Sequence, residues 1–214
     1  MVSLFILTEK LKVRWKGLER WTTVFLISLV IIFSTLTYSR NSLWADPIRL
    51  WEDVTLKSPE NARGHYNLGL ALVSEGRMGD ASTEFHKTLN LDPRHAKAYN
   101  NLGLIYGAQG QTEQAVTELE KAVELEPDYA GARNNLGVAF WRQGRPDKAI
   151  RELQIALKLN PHDANAHNNL GAIYAHRGQI EDAVREFQAA LSLDRDHVNA
   201  MKNLKALSGE APRP

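Results

Sequence analysis

Hydrophobic positions follow two different rules along this chain. From Trp21 to Ser39, nineteen residues run without a charge between Arg20 and Arg40, with Val24-Phe25-Leu26-Ile27-Ser28-Leu29-Val30-Ile31-Ile32-Phe33 as the apolar centre. From residue 62 onward the apolar positions repeat at an offset of 34 residues instead. Leu68, Leu102, Leu136 and Leu170 are each followed four residues later by Leu72, Tyr106, Phe140 and Tyr174. Ala81, Ala115, Ala149 and Ala183 are followed in the same way by Phe85, Leu119, Leu153 and Phe187. A spacing of four puts both members of a pair on one helix face, so each unit predicts two helices that bury those faces against each other.

Polar and special residues punctuate the same frame. Asn-Leu-Gly recurs at 67–69, 101–103, 135–137 and 169–171, and Asn203-Leu204 continues the series with Lys205 in place of glycine. Glycine after the leucine and alanine in the second helix remove bulk where backbones approach, while Gly76, Gly110, Gly144 and Gly178 can take the left-handed conformation that ends a first helix. Pro93, Pro127 and Pro161 stop the second helices, and Arg195 stands where a fourth proline is expected. The unit is therefore a helix-turn-helix of 34 residues, with repeats at 62–95, 96–129, 130–163 and 164–197.

These residues resemble the tetratricopeptide-repeat (TPR) family over 62–208, with His65, Tyr99, Arg133 and His167 where that pattern carries tryptophan. The resemblance implies an all-α solenoid of about four units closed by half-repeat caps. Asp46 as N-cap and Pro47 as first helical residue open a capping helix in the junction 40–61, with Trp51 in the aromatic and Pro59 in the proline position. A closing helix is expected over 198–208, and 209–214 reads as a tail.

The uncharged run is long enough to matter. As a helix rising about 1.5 Å per residue it reaches about 28 Å, close to a hydrocarbon core of about 30 Å, so 21–39 is read as one transmembrane helix. Lys10, Lys12, Arg14, Lys16 and Arg20 precede it, whereas Arg40, Arg49 and Lys57 follow more sparsely. That bias puts 1–20 in the cytoplasm and the repeats outside it, at the periplasmic face of a cell inner membrane. The span with Trp44, Leu50-Trp51-Glu52-Asp53 and 58–63 behind it resembles the junction of bacterial integral-membrane proteins with C-terminal TPR repeats. Some of those resemble lipid-linked sugar transferases, whose catalytic part has many spans where one is read here, so the architecture is carried over and the activity is not.

Composition narrows the function further. The chain has 26 Lys and Arg against 25 Asp and Glu, net +1, without the basic excess that nucleic-acid binding requires. Residues 62–197 hold 15 basic and 18 acidic side chains. With no cysteine there is no disulfide, thiolate metal site or thiol nucleophile. The seven histidines form no His-Glu-x-x-His pair and are read as surface residues; Glu118, Glu120, Glu124 and Glu126 are read as a solvated helix face, and every glycine is absorbed by the repeat. An enzyme is not expected, nor a metal, a cofactor or a small-molecule substrate.

What remains is the surface that first-helix side chains line in this family. Asn67, Asn101, Asn135, Asn169 and Asn203 recur at one phase, and Asn100, Asn134 and Asn168 precede three of them. An amide offers both donor and acceptor, which matches a peptide backbone. The arrangement resembles the asparagine ladder in the repeat domain of O-linked N-acetylglucosamine transferase, which implies that these residues hold extended peptide. Alanine in their place favours helix by a few tenths of a kcal/mol per site, so substitution is not expected to weaken the fold. Arg63, Lys97, Arg142 and His176 fall near the same surface and suit an acidic or C-terminal carboxylate. The expected function is a membrane-anchored scaffold or adaptor for protein or peptide partners; the alternative is a fixed structural subunit or assembly factor of a larger membrane complex.

Overall fold

The computed structural model describes residues 21–38 and 46–208, and these fall into two units, 1–56 and 57–214. In the first, α1 spans Trp21–Tyr38 and α2 spans Pro47–Lys57. Asp46 starts α2 by accepting from the amides of Ile48 and Arg49 at 3.1 and 3.2 Å, leaving proline where no amide is needed. The expectations for 1–20, Ser39, 40–45 and 209–214 lie outside the described residues.

The second unit alternates first and second helices: α3 (Ala62–Ser74), α4 (Met78–Leu91), α5 (Ala96–Ala108), α6 (Thr112–Leu125), α7 (Ala130–Arg142), α8 (Pro146–Leu159), α9 (Ala164–His176), α10 (Ile180–Leu193) and α11 (Val198–Ser208). No strand occurs among the described residues. Each first helix ends on a glycine at φ between +73° and +76°. The amide after it (Arg77, Gln111, Arg145, Gln179) donates back to Leu72, Tyr106, Phe140 or Tyr174 at 2.9 Å, which satisfies a carbonyl that the helix end would otherwise strand.

Second helices end in register whether or not proline follows. α10 stops at Leu193 although Arg195 stands in the proline position, because Asp194 turns the chain by accepting from the amide of Asp196 at 3.1 Å. Asp92 and Asn160 make the same turn ahead of their prolines' successors, onto Arg94 and His162. At the starts, Asn61 and Asp163 accept from the third residue of their helices, and His95 and His197 do so through Nδ1.

The core is the periodic set. Ala81, Ala149 and Ala183 are fully buried, as are Phe85, Leu102 and Leu153, each such large side chain contributing about 1.5–3 kcal/mol by leaving water. One cluster joins Val116, Leu119, Leu136, Phe140, Leu153, Leu170 and Ile173 across three repeats, so each unit closes its neighbour's core. α5 packs on α7, α7 on α9 and α9 on α11, whereas no two second helices make a comparable contact. The second unit therefore curves toward its first helices.

Candidate functional site

First helices place side chains one turn apart on a common stripe, so residues of equal phase in successive repeats become neighbours. Asn135 Nδ2 donates to Asn100 Oδ1 at 2.9 Å, Asn169 to Asn134 at 3.0 Å and Asn203 to Asn168 at 3.0 Å. The two asparagine series thus interlock, with Asn135, Asn169 and Asn203 each reaching the earlier series of the preceding repeat. Asn101 reaches Tyr66 Oη in the same way, at a longer 3.5 Å. Burial pushes the Tyr66 phenol up, against the lowering effect of that hydrogen bond. Asn67 is half-buried on α3.

The amides are therefore also a seam between repeats. Asn100 and Asn168 are buried, so each donor that reaches them satisfies an oxygen that water does not. Asn101, Asn135, Asn169 and Asn203 stay half-buried, and an amide spending one N–H on a neighbour keeps a second N–H and acceptor capacity for a ligand. The expectation that alanine at Asn101, Asn135 and Asn169 leaves the fold unweakened considered helix propensity alone; Asn135 and Asn169 also make inter-repeat bonds that alanine would remove. Tyr66 was missed, although it stands 34 residues before Asn100.

Arg63, Lys97, Arg142 and His176 are exposed on the first helices. Arg142 Nη1 donates to the Gly107 carbonyl at 2.8 Å, one repeat back. Between α5, α6 and α7 lies a hollow of about 260 Å³ walled by Gly103, Leu104, Gly107, Ala108, Val138 and Arg142. Nearby, Trp141 meets His176 edge-on at 4.7 Å between ring centroids. Sequence periodicity did not single out this hollow, because it exists where the repeat is broken: Gly107 stands in phase with Val73, Trp141 and Ala175.

The histidines are not simply surface residues. His65 and His197 are buried, and His65 bonds Glu84 at 2.6 Å through Nδ1 and the Pro59 carbonyl at 2.9 Å through Nε2. His167 makes the same bridge to Glu186 and Pro161. Arg133 makes it from Nε to Pro127 at 2.6 Å and from Nη1 to Glu152 at 2.7 Å. These residues occupy the position expected to be tryptophan and tie a repeat's two helices to the turn before it. A recurring glutamate at 84, 118, 152 and 186 was the available signal. In the second repeat Tyr99 takes this place, with Lys121 Nζ over its ring at 5.2 Å and 3.6 Å from Glu118.

Comparison with known proteins agrees with this architecture. The family described as "Tetratricopeptide repeat" matches residues 36–85 and 139–198, and that described as "TPR repeat" matches 69–110 and 105–144. Among solved structures, MamA from Desulfovibrio magneticus RS-1 superposes with a TM-score of 0.64 at 26% identity, covering 80% of this chain and 96% of that one. YrrB, described as a TPR protein with an unusual peptide-binding site, superposes with a TM-score of 0.63 at 24% identity over 81% of this chain and 89% of its own. A protein O-mannosyl-transferase of Caenorhabditis elegans is 32% identical over 88 residues, which are 41% of this chain and only 12% of that protein.

Proposed function

Because the chain belongs to the tetratricopeptide-repeat family, whose fold typically serves as a scaffold for protein or peptide partners, we propose that it is a membrane-anchored scaffold holding partners against its first helices. The observation that carries the reading is the first-helix face itself: half-buried amides of Asn101, Asn135, Asn169 and Asn203 run along it in register. Arg63, Lys97 and Arg142 flank them. Such a face can meet the donors and acceptors of an extended backbone at each repeat. Its work is to hold rather than to catalyse, and the transferase activity of a relative matched over 12% of its length is not part of the proposal.

The anchor in this proposal is α1. Its 18 residues have a mean hydropathy of 1.8 and reach about 27 Å, and every side chain but that of Leu29 is exposed. Ser28 and Thr35 return their hydroxyls to the carbonyls of Val24 and Ile31 at 2.9 and 2.7 Å, so these polar groups enter lipid already bonded. With the denser basic cluster before the span, the amino terminus lies in the cytoplasm and the repeats lie outside it, at an inner membrane.

A photo-cross-linking residue at Leu104 and another at Glu120, each in the full chain in its membrane, test the scaffold. Adducts from Leu104 but not from Glu120 are expected; adducts confined to Glu120 would refute the groove. A varied adduct set at Leu104 marks an adaptor, and one stoichiometric partner marks a fixed subunit of a complex. Loss of the chain from membranes after alkaline extraction, or cleavage behind residue 39, would refute the anchor.

A further inference from the structure

Two positions of the repeat frame hold histidine at the ends of the stack and other residues between. The bridging position reads His65, Tyr99, Arg133 and His167, and the position before each first helix reads Asn61, His95, Tyr129, Asp163 and His197. Each histidine bridge is thus followed 30 residues later by a histidine cap. The two kinds of site make opposite demands on the imidazole.

At the bridges both ring nitrogens face acceptors. His65 meets Glu84 Oε2 at 2.6 Å and the Pro59 carbonyl at 2.9 Å, and His167 meets Glu186 Oε2 at 2.6 Å and the Pro161 carbonyl at 3.2 Å. A neutral imidazole has one N–H and leaves its other lone pair against an oxygen, whereas an imidazolium donates to both. Arg133 fills the same place with two guanidinium donors, on Pro127 and Glu152. Lys87, also on α4, shares Glu84 through its other oxygen at 2.8 Å. The positive end of α3 or α9 opposes a cation in its first turn, but the carboxylate is in direct contact with the ring and outweighs it.

At the caps the ring must accept. Nδ1 of His95 and of His197 takes the amide of Ala98 or Ala200 at 3.3 and 3.2 Å, where Asn61 and Asp163 use a side-chain oxygen. Protonation there would set a donor against a donor, beside the positive end of α5 or α11. The groups facing these rings are uncharged: Tyr66 of α3 stacks on His95 at 4.5 Å between centroids, and Asn165 Oδ1 of α9 accepts from His197 Nε2 at 3.3 Å. Asp92 and Asp194, three residues before each cap, hold the amides of Arg94 and Asp196. Among the described residues, carboxylates pair with the bridge rings and with neither cap ring.

We propose that these four histidines form a pH-responsive device in the first and last repeats: falling pH locks α3 to α4 and α9 to α10 at the bridges and releases the starts of α5 and α11 at the caps. A bridge binds a proton in the folded chain, so its contribution is complete below the ordinary imidazole value of about 6.5 and is lost as pH rises above it. A cap excludes that proton, so its contribution is complete above the same value and is lost as pH falls below it. Acid therefore moves constraint from the joints between repeats to the helix pairs within them. The interior bridging and capping positions, Tyr99, Tyr129, Arg133 and Asp163, hold no histidine and stay out of the exchange. The device is independent of the groove and of the anchor.

The test is nuclear magnetic resonance of the full chain in detergent, labelled with nitrogen-15 in histidine alone, each ring assigned by the signal that a single substitution removes. At about pH 7.5 both nitrogens of His65 and of His167 should carry protons. At about pH 6, where the exposed His86 and His162 have taken theirs up, Nδ1 of His95 and of His197 should still be bare. A bare nitrogen in either bridge at the higher pH, or cap rings that titrate together with the exposed ones, overturns the proposal. Urea unfolding gives the consequence for stability, since one bound proton changes the folding constant up to about tenfold per pH unit. Relative to the unchanged chain, the ratio of folding constants at about pH 8 and pH 6 should rise about tenfold or more in His65→Arg with His167→Arg, the residue that position 133 already uses. It should fall about tenfold in His95→Asn with His197→Asn, the residue that position 61 uses. Ratios that match the unchanged chain, or that move in the same direction, overturn the proposal. Where a variant does not fold, the ring nitrogens of the unchanged chain decide.

Discussion

Gly137→Ala tests how closely α7 and α8 approach, and it sets two opposed effects against each other. Alanine favours helix over glycine by about 1 kcal/mol, so at an open site the change stabilises. At Gly137 a Cβ would lie 2.8 Å from Leu153 Cγ and 3.1 Å from the Ala149 carbonyl oxygen. The leucine can rotate only within a full core, since it is completely buried, and the carbonyl belongs to the backbone of α8. The helices must separate by some tenths of an ångström along an interface that holds Leu136, Phe140 and Leu153. Overpacking of this kind costs about 1–3 kcal/mol, and with a fully buried leucine and a backbone carbonyl in the way the upper half of that range applies, leaving a net loss of about 1–2 kcal/mol after the propensity gain. Gly79 is the internal control: it is helical, its φ is not positive and a Cβ there meets nothing within 4 Å. Gly79→Ala should gain about 0.5–1 kcal/mol. Urea unfolding of the full chain in detergent, followed by helical circular dichroism under identical conditions, should move the two midpoints in opposite directions. A Gly137→Ala midpoint at or above that of the unchanged chain would refute the close approach.

Other changes test the ties between helices and between repeats. Arg133→Met should lose about 2–3 kcal/mol by stranding the mostly buried Glu152 and the Pro127 carbonyl, and Glu152→Gln should recover part of it; a double-mutant cycle with no coupling would refute the bridge. Asn135→Ala should cost about 1–3 kcal/mol by leaving the buried Asn100 oxygen without its donor, which outweighs the helix gain of a few tenths. An unchanged melting temperature would restrict that amide to ligand binding. Ala149→Trp, at a site with no exposed surface, should cost at least 1–3 kcal/mol, and a midpoint equal to that of the unchanged chain would mean that the repeat frame is wrong. Alkaline phosphatase fused after Pro214 should be active and a fluorescent protein dark, and the reverse result would place the repeats in the cytoplasm.

Helix identity, helix order and the buried set were legible from the sequence because they depend on interactions within one turn or one repeat, written out four times. Leu68 and its equivalents, the alanine series and the four left-handed glycines lie where the period puts them. Even Arg195, which breaks the proline pattern, leaves α10 unchanged, since the turn at Asp194 is equally local. The stacking of one repeat on the next was not legible in the same way. Whether Asn135 faces solvent or reaches Asn100, 35 residues away, depends on the angle at which α7 crosses α5, and no local spacing encodes that angle. His65 looked solvated for the same reason, its partner Glu84 lying 19 residues off on the facing helix. The Gly107 hollow and the absence of carboxylates from the first helices likewise emerge only when helices are laid side by side. A net charge sums over the chain, whereas a partner meets one face of it.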